Sequence, residues 1–240
     1  MNPSISDKLD HLHDRYGRTL SLHLARRRVV ARILAWKGIR LLNQSLKRLM
    51  DMVGALAFLI VFSPIYLITA LAIVIEDGRP IFYNQIRVGR RGRLFRMYKF
   101  RSMYRDADAR KQELESDEMT GGVIFKMKND PRITRTGRII RKLSIDELPQ
   151  LWNVLKGDLS LVGPRPPLPA EVAEYSHLDR KRLEVTQGLT CTWQVSGRSD
   201  IDFENQVQLD IDYIKQRSFL ADVRLLLKTV PAVITGKGAY

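Results

Sequence analysis

The sequence predicts an α+β chain of monotopic, membrane-embedded type. It combines a re-entrant helix-break-helix, amphipathic interfacial helices and a small cytoplasmic domain with a short β-hairpin. Three observations lead there. The uncharged run from Met52 to Ile75 is apolar, yet Ser63-Pro64 interrupts it at its middle. Lys and Arg crowd both flanks of that run. Beyond Asp77-Gly78 the spacing changes from helical to two short segments around a glycine turn.

Twenty-four uncharged residues at helical rise reach about 36 Å, enough to cross a hydrocarbon core of about 30 Å. The flanks oppose a simple crossing. Residues 1–50 carry eleven basic and three acidic side chains, and residues 79–105 carry nine basic and none acidic. Basic residues mark the cytoplasmic side of a segment, so a spanning helix would strand one cluster on the wrong face. A bend at Pro64, with Ser63 donating back to a carbonyl of the preceding turn, returns both flanks to one side. Kinked helices also span membranes, so at this point a bent span is the alternative.

The chain then divides into a basic N-terminal extension (1–46), the hairpin (47–78) and a cytoplasmic domain (79–240). Met1 to Gly17 is polar, so no cleavable leader is expected. Leu20 to Met50 has the spacing of a basic amphipathic helix. Val29, Val30, Ile33, Leu34, Trp36, Leu41 and Leu42 alternate there with Arg26, Arg27, Arg28, Arg32, Lys37 and Arg40. A helix packed on the soluble domain would look the same; its place beside the hairpin favours the interface. "PIFYNQIRVGRRGRLFRMYKFRSM" predicts two strands around a Gly89–Gly92 turn with a solvated tip at Arg90 and Arg91. Residues 106–118 predict a polar helix or exposed loop. Leu209–Ser218 and Phe219–Ile234 predict two helices, the second broken by Pro231 and either a core or a membrane-surface element.

Composition narrows the chemistry. Among 240 residues there are 40 Lys and Arg against 26 Asp and Glu, a net charge of +14 that calls for an anionic partner. Nucleic acid, anionic lipid and a phosphorylated small molecule all qualify. One cysteine, Cys191, excludes an internal disulfide, and four histidines without zinc spacing argue against a zinc site.

The segment "TRTGRIIRKLSIDELPQLWNVLKGDLSLVGPRPPLP", Thr134 to Pro169, carries the most information. Ser144 and Glu147 fit a capping box; alternatively Asp146 is the cap and Pro149 the third helical residue. Lys156-Gly157 ends the helix in either frame. Two acids in a first turn are ordinary helix chemistry. They are also what a nucleophile needs: an ionised carboxylate at a phosphate-binding helix end. Arg135, Arg138, Arg141 and Lys142 precede it and Arg165, fixed between prolines, follows. Asp146 and Glu147 are neighbours, so one can attack while the other handles a metal or proton.

Taken together, Ser63-Pro64 in an apolar helix, "YKFRSM", "NDPRITRTGRIIRKLSIDELPQLWNVLKGDLSLVGPRP", "LTCTWQVSGRS" and the terminal "GKGAY" resemble the bacterial sugar transferase family. These are the monotopic phosphoglycosyl transferases, and the similarity runs from about Lys47 to Tyr240. The resemblance implies that residues 79–240 form a catalytic domain. This would transfer a hexose-1-phosphate from a UDP-sugar to polyprenyl (undecaprenyl) phosphate and release UMP through a phospho-aspartyl intermediate. The setting implied is the cytoplasmic face of a bacterial inner membrane, at the first membrane step of exopolysaccharide, capsule or O-antigen synthesis. Asp146 would be the nucleophile and Glu147 its partner and a ligand to Mg²⁺. Lys99, Arg141, Arg165 and Arg198 would contact phosphate and nucleotide. The family's hairpin is re-entrant, with the break at Ser63 and Pro64. Gln187 replaces a proline common in the family, which implies a less rigid loop.

The implied partners are a UDP-sugar, polyprenyl phosphate and inner-membrane lipids, without nucleic acid; self-association is left open. Two rivals stand beside this reading. One is a UDP-releasing glycosyltransferase using Asp106 and Asp108 for metal, although Asp200/Asp202 and Asp210/Asp212 share that spacing. The other is a non-catalytic basic adaptor at the membrane surface.

Overall fold

The computed structural model describes residues 5–107, 130–197 and 201–235. The chain forms two compact units, Met1–Lys47 and Arg48–Tyr240. Helix α1, Ile5–Val61, is longer than the amphipathic segment read from the sequence and continues into the apolar run. No proline or glycine-rich break separates the two, so helical spacing runs on unchecked. In the first unit Val29, Ile33, Leu34, Trp36, Leu41 and Leu42 are all exposed, and the Arg40 guanidinium lies 5.5 Å from the Trp36 ring.

Helix α2, Ser63–Asp77, meets α1 at a bend of 60°. Pro64 lies in the first turn of α2, where its missing N–H removes no helical hydrogen bond, so the cost expected in a helix interior is avoided. The Ser63 hydroxyl donates to the Ile60 carbonyl at 2.7 Å, as the sequence suggested. No single helix among the described residues is long and apolar enough to cross a membrane, whereas the bent pair together passes on length and composition. Its outer face is apolar and open: Leu67, Ile68, Leu71 and Ile75 are exposed on α2, with Leu56, Ile60 and Val61 on α1.

Strands β1, Phe82–Val88, and β2, Leu94–Phe100, pair antiparallel in the predicted hairpin. A short 3₁₀ turn, Arg90–Gly92, joins them, and Arg90 and Arg91 are exposed at its tip. Next come α3, Arg135–Lys142, a 3₁₀ turn, Ile145–Glu147, and α4, Gln150–Lys156. Gly157 ends α4 at φ 89°, the left-handed cap expected of Lys156-Gly157. Strand β3, Ser160–Val162, pairs in parallel with β4, Gly188–Thr190. Between them lie α5, Pro169–Ala173, and a 3₁₀ segment, Asp179–Glu184; after them come α6, Thr192–Ser196, α7, Phe203–Gln216, and α8, Phe219–Thr235. Helix α7 begins six residues before the expected start because Asp202 caps it, accepting the Asn205 N–H at 2.8 Å. Pro231 lies inside α8 without ending it.

The core joins the hairpin to the rest. Ala55 of α1, Phe95 and Met97 of β2, Leu151 and Val154 of α4, and Leu161 and Val162 of β3 form one buried cluster. Polar side chains on α1 complete the join. Arg48 donates to the Val154 and Leu155 carbonyls at 2.7 and 2.8 Å, closing the end of α4. Buried Asp51 accepts the Leu161 N–H at 2.9 Å and the Ser160 hydroxyl at 3.0 Å. Replacing Asp51 by Ala strands a buried donor, so a loss of about 1–3 kcal/mol is expected on thermal or denaturant unfolding in detergent.

Candidate active site

Three elements converge on Asp146 and Glu147. The pair occupies the 3₁₀ turn Ile145–Glu147, entered through Ser144 at φ 55°, a left-handed backbone uncommon for a residue other than glycine. Neither capping frame read from the sequence is realised. Ser144 makes no side-chain cap, and α4 starts at Gln150 with Pro149 as its cap position. The acids therefore sit in a tight turn ahead of the helix, with Asp146 buried.

Strand β2 supplies the cation. Lys99 Nζ donates to Glu147 Oε1 at 2.8 Å and lies 4.0 Å from Asp146 Oδ2. Arg141, in the last turn of α3, also acts on Asp146 by its charge. Helix α3 is placed by Glu76 of α2, whose carboxylate accepts the Arg135 and Thr136 N–H groups at 2.7 and 2.8 Å. Gly137 lets α3 approach closely: a Cβ there would stand 1.9 Å from the Ser102 carbonyl oxygen. Arg165 reaches the site from the Gly163-Pro164-Arg165-Pro166-Pro167 loop. That loop is held where Gly163 and Gly188 touch; a Cβ on Gly188 would lie 2.0 Å from the Gly163 nitrogen.

The two carboxylates differ in protonation. Burial pushes Asp146 up to about 6, with Glu147 adding to the rise and Lys99 and Arg141 opposing it. Burial also raises Glu147, but Lys99, Arg165 and Arg87 more than offset that and hold it below the ordinary carboxylate range. At neutral pH both are ionised, Asp146 with the more basic and hence more nucleophilic oxygen.

Sequence reasoning missed Arg87. It is buried on β1, donates to the Pro166 carbonyl at 3.1 Å and to Gln85 Oε1 at 2.7 Å, and lines the same cleft as Lys99, Glu147 and Arg165. Burial and nearby Arg165 lower it to about 10. No local signal marked it: strand alternation puts Ile86 inside and Arg87 outside, whereas Ile86 is exposed and Arg87 buried. Gln187 was read as loosening its loop. Instead it is fully buried and its amide donates to the Arg182 and Val185 carbonyls at 2.9 and 3.0 Å, tying the loop that precedes β4.

Of the other site residues, Lys99, Arg141 and Arg165 are brought around the dyad, whereas Arg198 lies outside the described residues. Asp108, of the rival metal pair, also lies outside them, as does nearly all of the 106–118 segment. The competing Asp-x-Asp spacings have structural uses: Asp202 caps α7 and Asp210 pairs with Arg182. Among the described residues no group of three or more His, Cys, Asp or Glu side chains could hold a metal by itself.

A bent helix pair, an acidic dyad and the Lys and Arg side chains around it thus share one small α+β frame. Sequence comparison assigns that frame to a family. The model of the bacterial sugar transferase family matches residues 42–236, and the chain belongs to that family. It is 46% identical over 194 residues to the galactosyl transferase CpsE of Streptococcus agalactiae serotype III, covering 80% of this chain and 43% of that one. It is 45% identical over 202 residues to the undecaprenyl-phosphate galactose phosphotransferase of Salmonella typhimurium, covering 82% and 42%. With the exopolysaccharide production protein ExoY of Rhizobium meliloti it shares 36% over 207 residues, covering 85% and 92%. The chain thus spans less than half the length of the first two relatives and most of the third.

Proposed function

We propose that the protein transfers a hexose-1-phosphate from a UDP-sugar to polyprenyl phosphate at the cytoplasmic face of a bacterial inner membrane, releasing UMP. The observation that carries the reading is the unlike pair of carboxylates at Lys99. An Asp146 oxygen forms a bond to the β-phosphorus of the donor, and the bond from that phosphorus to the bridging oxygen breaks. UMP leaves with that oxygen and the electron pair. An oxygen of polyprenyl phosphate then attacks the same phosphorus, releasing the Asp146 carboxylate and giving a polyprenyl diphosphate sugar. Lys99, Arg141, Arg165 and Arg87 lower the charge repulsion that a carboxylate meets at a diphosphate.

Magnesium fits the donor set. A Mg²⁺ ion asks for one or two carboxylates and completes its shell with phosphate oxygens and water. Glu147 with the donor phosphates would hold it, and it would supply charge neutralisation at the leaving phosphate. The open apolar face of the bent pair supports a monotopic placement, which would bring a lipid phosphate and a soluble nucleotide sugar to one interface. The names of the relatives, a galactosyl transferase, an undecaprenyl-phosphate galactose phosphotransferase and an exopolysaccharide production protein, support a galactose or related hexose donor and a role in exopolysaccharide, capsule or O-antigen assembly.

The test is a panel of UDP-sugars with polyprenyl phosphate and detergent-purified protein, reading the nucleotide released. UMP is expected; UDP would instead favour the glycosyltransferase rival, and no nucleotide would favour the adaptor. In the same assay Lys99→Met should lower kcat/KM by about 10²-fold or more, as loss of a preorganised charge contact does. With the main opposing cation gone, both carboxylates should titrate higher, and the acid limb of the pH–rate profile, set by Asp146 as the more basic of the two, should move upward. An unmoved limb would contradict the role given to Lys99.

A further inference from the structure

We propose that the cavity bordered by Arg165, Glu171, Tyr175, Trp193, Phe203 and Gln206 is a nucleoside subsite that takes the uracil and ribose of the donor. The inference rests on the UDP-sugar reading above and extends it to Glu171, Tyr175, Phe203 and Gln206, which lie outside the motif segments.

The cations at the centre set a direction. Lys99 Nζ lies 4.0 Å from Asp146 Oδ2 and 2.8 Å from Glu147 Oε1, and it shares the cleft of the dyad with Arg87 and Arg165. A diphosphate with its β-phosphorus at Asp146 therefore runs its α-phosphate toward Arg165. Arg165 lines both the cleft of the dyad and the second cavity, so the nucleoside beyond the α-phosphate enters that cavity.

The lining suits a nucleoside. The Phe203 ring is 40% exposed and is backed by Tyr175 at 5.8 Å and by the Arg182 guanidinium at 5.7 Å, so it offers a fixed face for stacking a base. Gln206 donates its amide N–H to the Ile201 carbonyl at 2.7 Å, which orients its own oxygen as an acceptor for an imide N–H such as that of uracil. Glu171 Oε2 accepts the Leu168 N–H at 2.9 Å, which fixes the carboxylate at the cavity wall as an acceptor for ribose hydroxyls. Arg165 lies 5.9 Å from the Trp193 ring, fixing the phosphate-facing cation against the cavity wall. A hexose would also suit an aromatic and a carboxylate. The hexose, however, is bonded to the β-phosphate and so lies at the Asp146 end.

The experiment measures UMP binding by calorimetry with the full chain in detergent, alongside steady-state kinetics. Phe203→Ala is expected to weaken UMP about tenfold or more and to raise KM for the UDP-sugar far more than it lowers kcat. Phe203→Tyr should restore both. Gln206→Leu should narrow the preference for UMP over CMP, and it serves if Phe203→Ala does not fold. Ribose 5-phosphate should compete much less well than UMP. Unchanged UMP affinity in both variants, or equal competition by ribose 5-phosphate, overturns the subsite while leaving UMP release by the parent protein intact. A parent protein that neither binds UMP nor releases it overturns the functional reading, and the subsite with it.

Discussion

Asp146→Asn should abolish UMP release and, at pH 7.5, make the protein more stable than the parent. The first half follows from chemistry: an amide oxygen cannot form the acyl phosphate, so intact-mass measurement after donor addition without lipid should show a phospho-sugar adduct on the parent and none on the variant. The second follows from linkage. Burial lifts the Asp146 carboxyl in the folded state to about 6, from an unfolded value of 3.8. Between those values the folded chain holds more protons than the unfolded one. Stability falls as pH rises through that window, and the charged form remains a burden above it. Asn carries no charge, so its advantage should be of order 1 kcal/mol at neutral pH and should fade as pH falls through 6 toward 4. Thermal unfolding at several pH values reads this directly. A variant that is less stable at pH 7.5 would mean that the charge on Asp146 supports the fold instead of burdening it.

Arg182→Met should destabilise the fold strongly. Arg182 and Asp210 are almost fully buried, 2.7 Å apart, and Arg182 also donates to the Tyr175 hydroxyl at 3.1 Å. Burial raises Asp210 to about 6 even with Arg182 opposing it. Without the guanidinium a carboxyl remains in an apolar site and must take up a proton. Removing one partner of such a pair costs about 3–5 kcal/mol, on the order of 10 °C in Tm for a chain of this size. The double variant Arg182→Met with Asp210→Leu should recover much of the loss, because the orphaned charge goes too. Equal Tm for the single and double variants would contradict this account.

The parts of this molecule that sequence makes legible depend on neighbours along the chain. The strand pair around Gly89 and Gly92, the bend at Ser63-Pro64 and the glycine stop at Gly157 each follow from local backbone preferences, and each is observed. The acidic pair was also visible, but its setting was not: a helix cap and a 3₁₀ turn share the same run of residues, and only the left-handed backbone at Ser144 separates them. Arg87, Glu76 and the Arg182–Asp210 pair escaped because their meaning lies in partners far along the chain, from 28 to 79 positions away. Propensity and spacing carry no record of such partners. For Arg87 the local strand alternation points the wrong way, toward an exposed side chain.

Arg48 and Asp51 have a practical consequence for anyone seeking a water-soluble fragment. Trimming the greasy arm to ease crystallisation would also take away the groups that close α4 and brace β3 beside it. What remained would be a domain missing part of its own floor. Chimeras that exchange arms between family members should therefore carry these two positions across with the acceptor, not the donor.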